Sequence, residues 1–189
     1  MNVICLDLQQ NKEAIPLIEI CKSNSGKTGI ALRNAHYKLG DMLANQISDN
    51  FQSKKVTVII MMRAGLPFGM GIADTLEQNG IKATILFYAN ELQWKKEKQN
   101  CLQSLKNTIL LVDSVINSGD SILKFSQQFI DCQDIYFFTN VVSDKALSKF
   151  ENKNLCAVRI SHNSFVGAKT DMIKGNKGPD TGDRLFNTK

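Results

Sequence analysis

The stretch TILLVDSVINSGDSI, Thr108 to Ile122, decides how this chain folds. Its opening residues are apolar and rich in branched side chains, as in a strand covered on both faces. The apolar run ends at Asp113. A short turn follows, and Ser118-Gly119-Asp120-Ser121 leads into a segment with Ile122, Phe125, Phe129 and Ile130 at helical spacing. The same alternation extends outward in both directions. Upstream, Val56 to Met62 is another apolar run, and Pro67 stands where a helix can open without an amide partner. That helix is expected to run to Gln78 and stop at Asn79-Gly80. Ala83 to Tyr88 reads as a further strand, and Leu32, Ala35, Leu39, Met42 and Leu43 mark an earlier helix. Downstream, Ile135 to Val142 and Leu155 to Ser161 read as strands separated by a short helix-like stretch, Ser143 to Glu151. Repeated strand–helix–strand units predict an α/β fold, a parallel sheet with flanking helices. The length, 189 residues, favours one domain over 1–189.

Hydrophobic residues make up 43% and charged residues 22%, so a buried core is available. With 12 glycines and 3 prolines, collagen-like and linker-like readings fall away. No apolar run approaches the ~20 residues of a membrane-spanning helix, and no secretory signal is visible in MNVICLDLQQNKEAI. A cytoplasmic location without membrane contact is expected. The net charge of +5 is modest, and a nucleic-acid partner is not expected. The densest basic cluster, Lys95, Lys96 and Lys98, reads as a solvated segment. The five cysteines, Cys5, Cys21, Cys101, Cys132 and Cys156, are widely spaced and contain no CxxC pair. Most are expected as core residues, and a disulfide framework or zinc site is not expected. With only His36 and His162, no His-rich metal site is expected, and no protein-held metal is assigned.

Two stretches stand apart. Ala89 to Asn107 is a long polar connection between strands, read as a flexible arm or lid. The tail, about 169–189, is read as an ordered loop region because Gly175, Gly178 and Gly182 interrupt it.

The chemistry is expected at the carboxyl ends of the strands, where open parallel sheets bind ligands. A turn of small hydroxyl residues and a glycine can aim several backbone N–H groups at one phosphate, with the following helix adding partial positive charge. Asn117, Ser118, Gly119, Asp120 and Ser121 form such a turn. Asp113 is suited to accept hydrogen bonds from a ribose diol. The same residues equally suit a plain strand-to-helix turn capped by Asp113 or Ser114. Arg63, with Ala64 and Gly65, offers a planar donor fork and close backbone approach at another strand end.

These segments resemble the ribose-phosphate-binding signature of the type I phosphoribosyltransferases: an apolar strand, an acidic residue, then a Ser/Thr-Gly loop. Arg63-Ala64-Gly65-Leu66 is similar to the diphosphate-binding loop of the uracil phosphoribosyltransferases. Asp180-Thr181-Gly182-Asp183-Arg184-Leu185-Phe186-Asn187-Thr188-Lys189 is similar to that family's terminal motif, and Tyr88-Ala89-Asn90-Glu91 to the start of its arm, with Ala89 in place of an arginine. The chain departs from the family at Ser114, at Asp120 (where the family has glycine) and over Asp171 to Gly178. There Lys174 and Lys177 replace an apolar base-framing run.

The resemblance implies transfer of a 5-phosphoribosyl group from phosphoribosyl diphosphate to uracil, giving UMP and diphosphate. Mg2+ would be carried by the substrate diphosphate. By the resemblance, the catalytic residues are Asp113, Arg63 and Asp180. Donor contacts would come from Arg63, Ala64, Gly65, Asp113, Ser114, Asn117, Ser118, Gly119, Asp120, Ser121 and Asp180. Base contacts would come from Ile173, Lys174, Pro179, Asp180 and Thr181. A homodimer is implied. Asp183 and Arg184 are expected as a structural ion pair, with Phe186 docked in the core. A phosphoribosyltransferase for another base remains open, as does a regulator that senses the donor without turnover.

Overall fold

A computed structural model describes residues 2–5, 11–51, 53–101, 103–129, 131–162 and 180–188. Six strands form one parallel sheet: β1 (Asn2–Cys5), β2 (Lys55–Met61), β3 (Lys82–Tyr88), β4 (Thr108–Ile116), β5 (Ile135–Ser143) and β6 (Asn154–Ser161). The spatial order is β1-β6-β5-β4-β2-β3. From β2 the chain steps outward to β3, whereas from β4 it steps the opposite way to β5. The reversal falls between β2 and β4, and it opens a crevice at their carboxyl ends.

Both faces are covered, so the central strands are mostly apolar. On β4, Leu110 and Val112 face one layer while Ile109 and Leu111 face the other. The first layer holds α1 (Ala14–Cys21), α2 (Gly29–Ile47), α3 (Gly65–Gln78) and α6 (Thr181–Phe186). The second holds α4 (Glu91–Asn100), α5 (Asp120–Ser126) and a 3-10 helix, Asp144–Phe150. No helix among the described residues is long and apolar enough to cross a membrane. Cys21 and Cys156 are buried, and Cys101 and Cys132 are half-buried.

Several expectations need correction. Strand β4 does not end at Asp113; it continues to Ile116, with Asp113 and Val115 half-buried and Ser114 and Ile116 buried. The tail is not a loop where it is described, because Thr181–Phe186 is helical. The expected flexible arm contains α4, a helix docked through one residue. Asn90 caps it, its side chain accepting from the Gln93 amide at 3.0 Å. Trp94 is buried against Tyr88, Phe125 and Phe129, with ring centroids 5.1–6.3 Å from its own, and its Nε1 donates to Gln128 Oε1 at 3.0 Å. Lys95 and Lys96 are exposed on its outer side. Trp94→Ala removes the anchor and leaves a cavity. It is expected to cost about 3–5 kcal/mol and to lower the melting temperature by roughly 10 °C, read by circular dichroism.

Candidate functional site

The turn after β2 runs Met62-Arg63-Ala64 into α3. Gly65 is obligatory for packing: a Cβ there would sit 2.9 Å from the Val112 carbonyl oxygen of β4. Gly65 therefore faces the neighbouring strand, and Met62, Arg63 and Ala64 line the crevice. The Arg63 side chain is half-exposed. Its Nη2 donates to Asp183 Oδ1 at 3.1 Å and its Nη1 to Thr188 Oγ1 at 3.3 Å. The expected Asp183–Arg184 pair is thus replaced by a pair between Asp183 and Arg63. Arg184 turns inward, donating to the Lys22 and Lys27 carbonyls at 3.0 Å. Phe186 packs against the core as expected.

The carboxyl end of β4 supplies Asp113. Burial pushes its carboxyl up to about 7, opposed by hydrogen bonds from the Val115 and Ser114 amides. Ser114, expected at the donor, is fully buried. The strand continues past it, and its side chain points to the core. Its Oγ donates to the Ala64 carbonyl at 2.7 Å, tying the turn after β2 to β4.

The turn from Asn117 leads into α5. Gly119 has φ 78°, in the left-handed region, and a Cβ would lie 2.8 Å from Phe150 Cε2, so glycine is required there. Asp120 is exposed and tied to Lys149 Nζ at 2.6 Å, a contact that lowers its pKa. Its carboxylate is therefore committed to a lysine, which offsets the repulsion expected beside a phosphate. Asn117, Ser118, Gly119 and Ser121 line the concave side of this turn.

The third wall comes from the C-terminus. Asp180 caps α6, its Oδ1 accepting from the Asp183 amide at 2.7 Å, and Asp180, Thr181 and Gly182 line the crevice. Ile173, Lys174 and Pro179 lie outside the described residues.

Two hollows result. A cleft of about 380 Å3 lies between the Arg63 turn and Asp180–Gly182. A smaller one, about 180 Å3, lies under the Asn117–Ser121 turn. They adjoin and share Asp113, Val115 and Asn117. Asp113 therefore stands between a compartment with an arginine fork and one lined by small hydroxyl residues. A ligand with a diol in the middle and an anion at each end fits this order. Among the described residues no three His, Cys, Asp or Glu side chains converge, so a divalent cation arriving with an anionic ligand would meet only the carboxylates of Asp113 and Asp180 at the cleft. Sequence reasoning missed Met62, Val115 and the Asp183 partnership. The last joins residues 120 positions apart and leaves no local pattern.

A family model described as uracil phosphoribosyltransferase matches residues 31–188. No curated protein matches the chain at a significant level. Among solved structures, the AQ2163 protein of Aquifex aeolicus is similar at 15% identity, covering 97% of each chain with a TM-score of 0.67. A hypothetical protein from Neisseria gonorrhoeae, solved with bound ppGpp, is similar at 17% identity, covering 68% of this chain and 80% of its own, with a TM-score of 0.51. At these identities the likeness is one of fold.

Proposed function

The chain belongs to the uracil phosphoribosyltransferase family, and from that premise we propose that it transfers a 5-phosphoribosyl group from phosphoribosyl diphosphate to uracil, releasing diphosphate. The observation that carries the reading is the pair of adjoining hollows sharing Asp113, one beside Arg63 and the other beneath Ser118 to Ser121. An activated sugar with two charged ends matches that layout.

In this reading the protein does little covalent work. It aligns donor and base and stabilises departing charge. Arg63 and the backbone of the Ala64–Gly65 turn hold the leaving diphosphate. Asp113, once ionised, accepts from the ribose hydroxyls and faces the positive charge that develops on the ring. The hydroxyls and amides from Asn117 to Ser121 hold the 5′-phosphate. Asp180, at the mouth of the larger cleft, lies toward the base, with Thr181 behind it. Magnesium arriving with the substrate would neutralise charge on the diphosphate, and the carboxylates of Asp113 and Asp180 are the ones at the cleft that would face it. Donor binding requires Arg63 to share or exchange its contact with Asp183.

A second reading, a donor-binding regulator without turnover, is favoured by one observation. Ala89 offers a methyl group where the family's arm carries an arginine, and its amide is already engaged by Gln93 Oε1 at 3.0 Å. One assay separates the readings: diphosphate release with the magnesium salt of the donor and a panel of uracil, cytosine, hypoxanthine, guanine and adenine. Release with uracil alone is the expected outcome. Release with another base reassigns the acceptor, and donor binding without release from any base selects the regulator.

A further inference from the structure

We propose that His36 is a positioning residue for the diphosphate-binding turn, fixing the Ala64–Gly65 peptide through the hydroxyl of Ser114. The inference rests on the reading of that turn given above. His36 lies on α2, fully inside the protein and away from the cleft. Its Nδ1 is 3.1 Å from Ser114 Oγ, and that oxygen donates to the Ala64 carbonyl at 2.7 Å.

The proton order in this chain of contacts is determined. A carbonyl can only accept, so the single hydroxyl proton of Ser114 is directed at Ala64. Ser114 Oγ must then accept from His36, which places a proton on Nδ1. Burial, reinforced by the charges of Arg184 and Arg159, drives the imidazole pKa down to about 3 and keeps the ring neutral. Nε2 is therefore bare, and Asn140 Nδ2 on β5 stands 3.4 Å from both ring nitrogens, with Nε2 the one able to accept from it. A buried neutral ring whose Nδ1 faces Ser114 holds the serine hydroxyl in one rotamer.

The consequence reaches the cleft through the planarity of the peptide bond. In a trans peptide the C=O and the following N–H point in opposite directions. Because the Ala64 oxygen is held inward by Ser114, the Gly65 N–H points the opposite way. Ala64 has helical dihedrals, φ −61° and ψ −35°, at the start of α3; the Ser114 contact fixes this first turn against fraying, and without it the N–H is held less firmly toward an anion. Ser114, where the family pattern differs, thus has a use that its burial alone does not supply.

The test has two parts. In wild-type protein labelled with 15N-histidine, long-range proton–nitrogen spectra should show His36 protonated on Nδ1 and unchanged between about pH 5 and 8, with His162→Gln identifying the second histidine. Protonation of His36 on Nε2 overturns the proposal. In calorimetry, His36→Leu should weaken binding of magnesium pyrophosphate about tenfold while leaving ribose 5-phosphate, which engages the other turn, within about twofold. His36→Asn, whose amide nitrogen can occupy the place of Nδ1, should restore most of the loss. Ser114→Ala should reproduce the loss and add nothing to it in the double variant, and it serves as the test if His36→Leu does not fold. Equal weakening of both ligands, or unchanged pyrophosphate affinity, overturns the proposal. A wild-type protein that binds neither ligand overturns the reading of the site and this proposal with it. Binding of both by a protein with the wrong tautomer overturns the proposal alone.

Discussion

Asp113→Asn is expected to lower turnover by about two to three orders of magnitude while making the folded protein more resistant to heat at pH 8. The opposite signs come from one cause. Burial raises the Asp113 carboxyl from 3.8 to about 7, so the folded state retains a proton that the unfolded chain releases. The residue's contribution to stability is therefore fully present below about pH 4 and is lost as pH rises through 7. Above that point the ionised carboxylate is a cost to the empty protein, and asparagine removes it. The ionised form is also what the ribose hydroxyls need, because a protonated acid has spent part of its accepting capacity. Donor affinity should accordingly tighten about tenfold between pH 6 and 8 in the wild type, and this component should vanish in Asp113→Asn. Calorimetric titrations at both pH values and melting curves at pH 8 check the two signs. A variant with wild-type turnover, or one less stable at pH 8, contradicts the assignment of Asp113. Arg63→Ala should weaken the donor by one to two decades, since a charge-assisted contact of this kind is worth about 1.5–3 kcal/mol.

The sheet was legible because each central strand is covered on both faces and is therefore mostly apolar. Val56 to Met62, Ala83 to Tyr88 and Ile135 to Val142 fall within one residue of the observed strands. The arginine turn and the hydroxyl turn were legible too, because each follows such a strand directly. What was not legible depends on contacts that leave no period. At Asp113-Ser114, β4 shows two polar residues in succession, which read as a turn. Only the structure shows that Ser114 points inward to Ala64 and His36. In α4 a single buried residue, Trp94, holds an otherwise polar helix, so no apolar stripe exists to be seen. The Asn90 cap and Glu91 in the first turn were the available signals. In α1, Ala14, Ile18 and Cys21 do lie at helical spacing, a pattern too short to separate from an apolar loop. Glycines in α2 and α3 likewise look like helix weaknesses until the neighbouring backbone is known.

Those glycines support the second large effect: Gly71→Val should fail to give folded protein, and Gly71→Ala should lose about 3 kcal/mol or more. In an ordinary helix the alanine change would be favourable by nearly 1 kcal/mol. Here α2 and α3 meet backbone to backbone. A Cβ at Gly71 would fall far inside van der Waals contact with the Tyr37 carbonyl oxygen and 2.9 Å from its carbon, and one at Gly40 would overlap the Phe68 carbonyl in the same way. Neither obstacle is a flexible side chain, so the whole helix must move. Movement is opposed by the polar stitching along the seam, where Thr75 Oγ1 donates to Asp41 at 2.6 Å and Tyr37 to Asp74 at 2.7 Å. It would also carry the start of α3, and hence the Arg63 turn, away from β4. Gly80→Ala provides the control. It has φ 77° but open space around it, so it incurs only left-handed strain, about 1 kcal/mol. Urea titrations of the two alanine variants should therefore separate clearly, with Gly71→Ala the less stable. If Gly71→Ala proves as stable as the wild type, the two helices do not touch at this point, and the placement of the Arg63 turn against β4 loses its support.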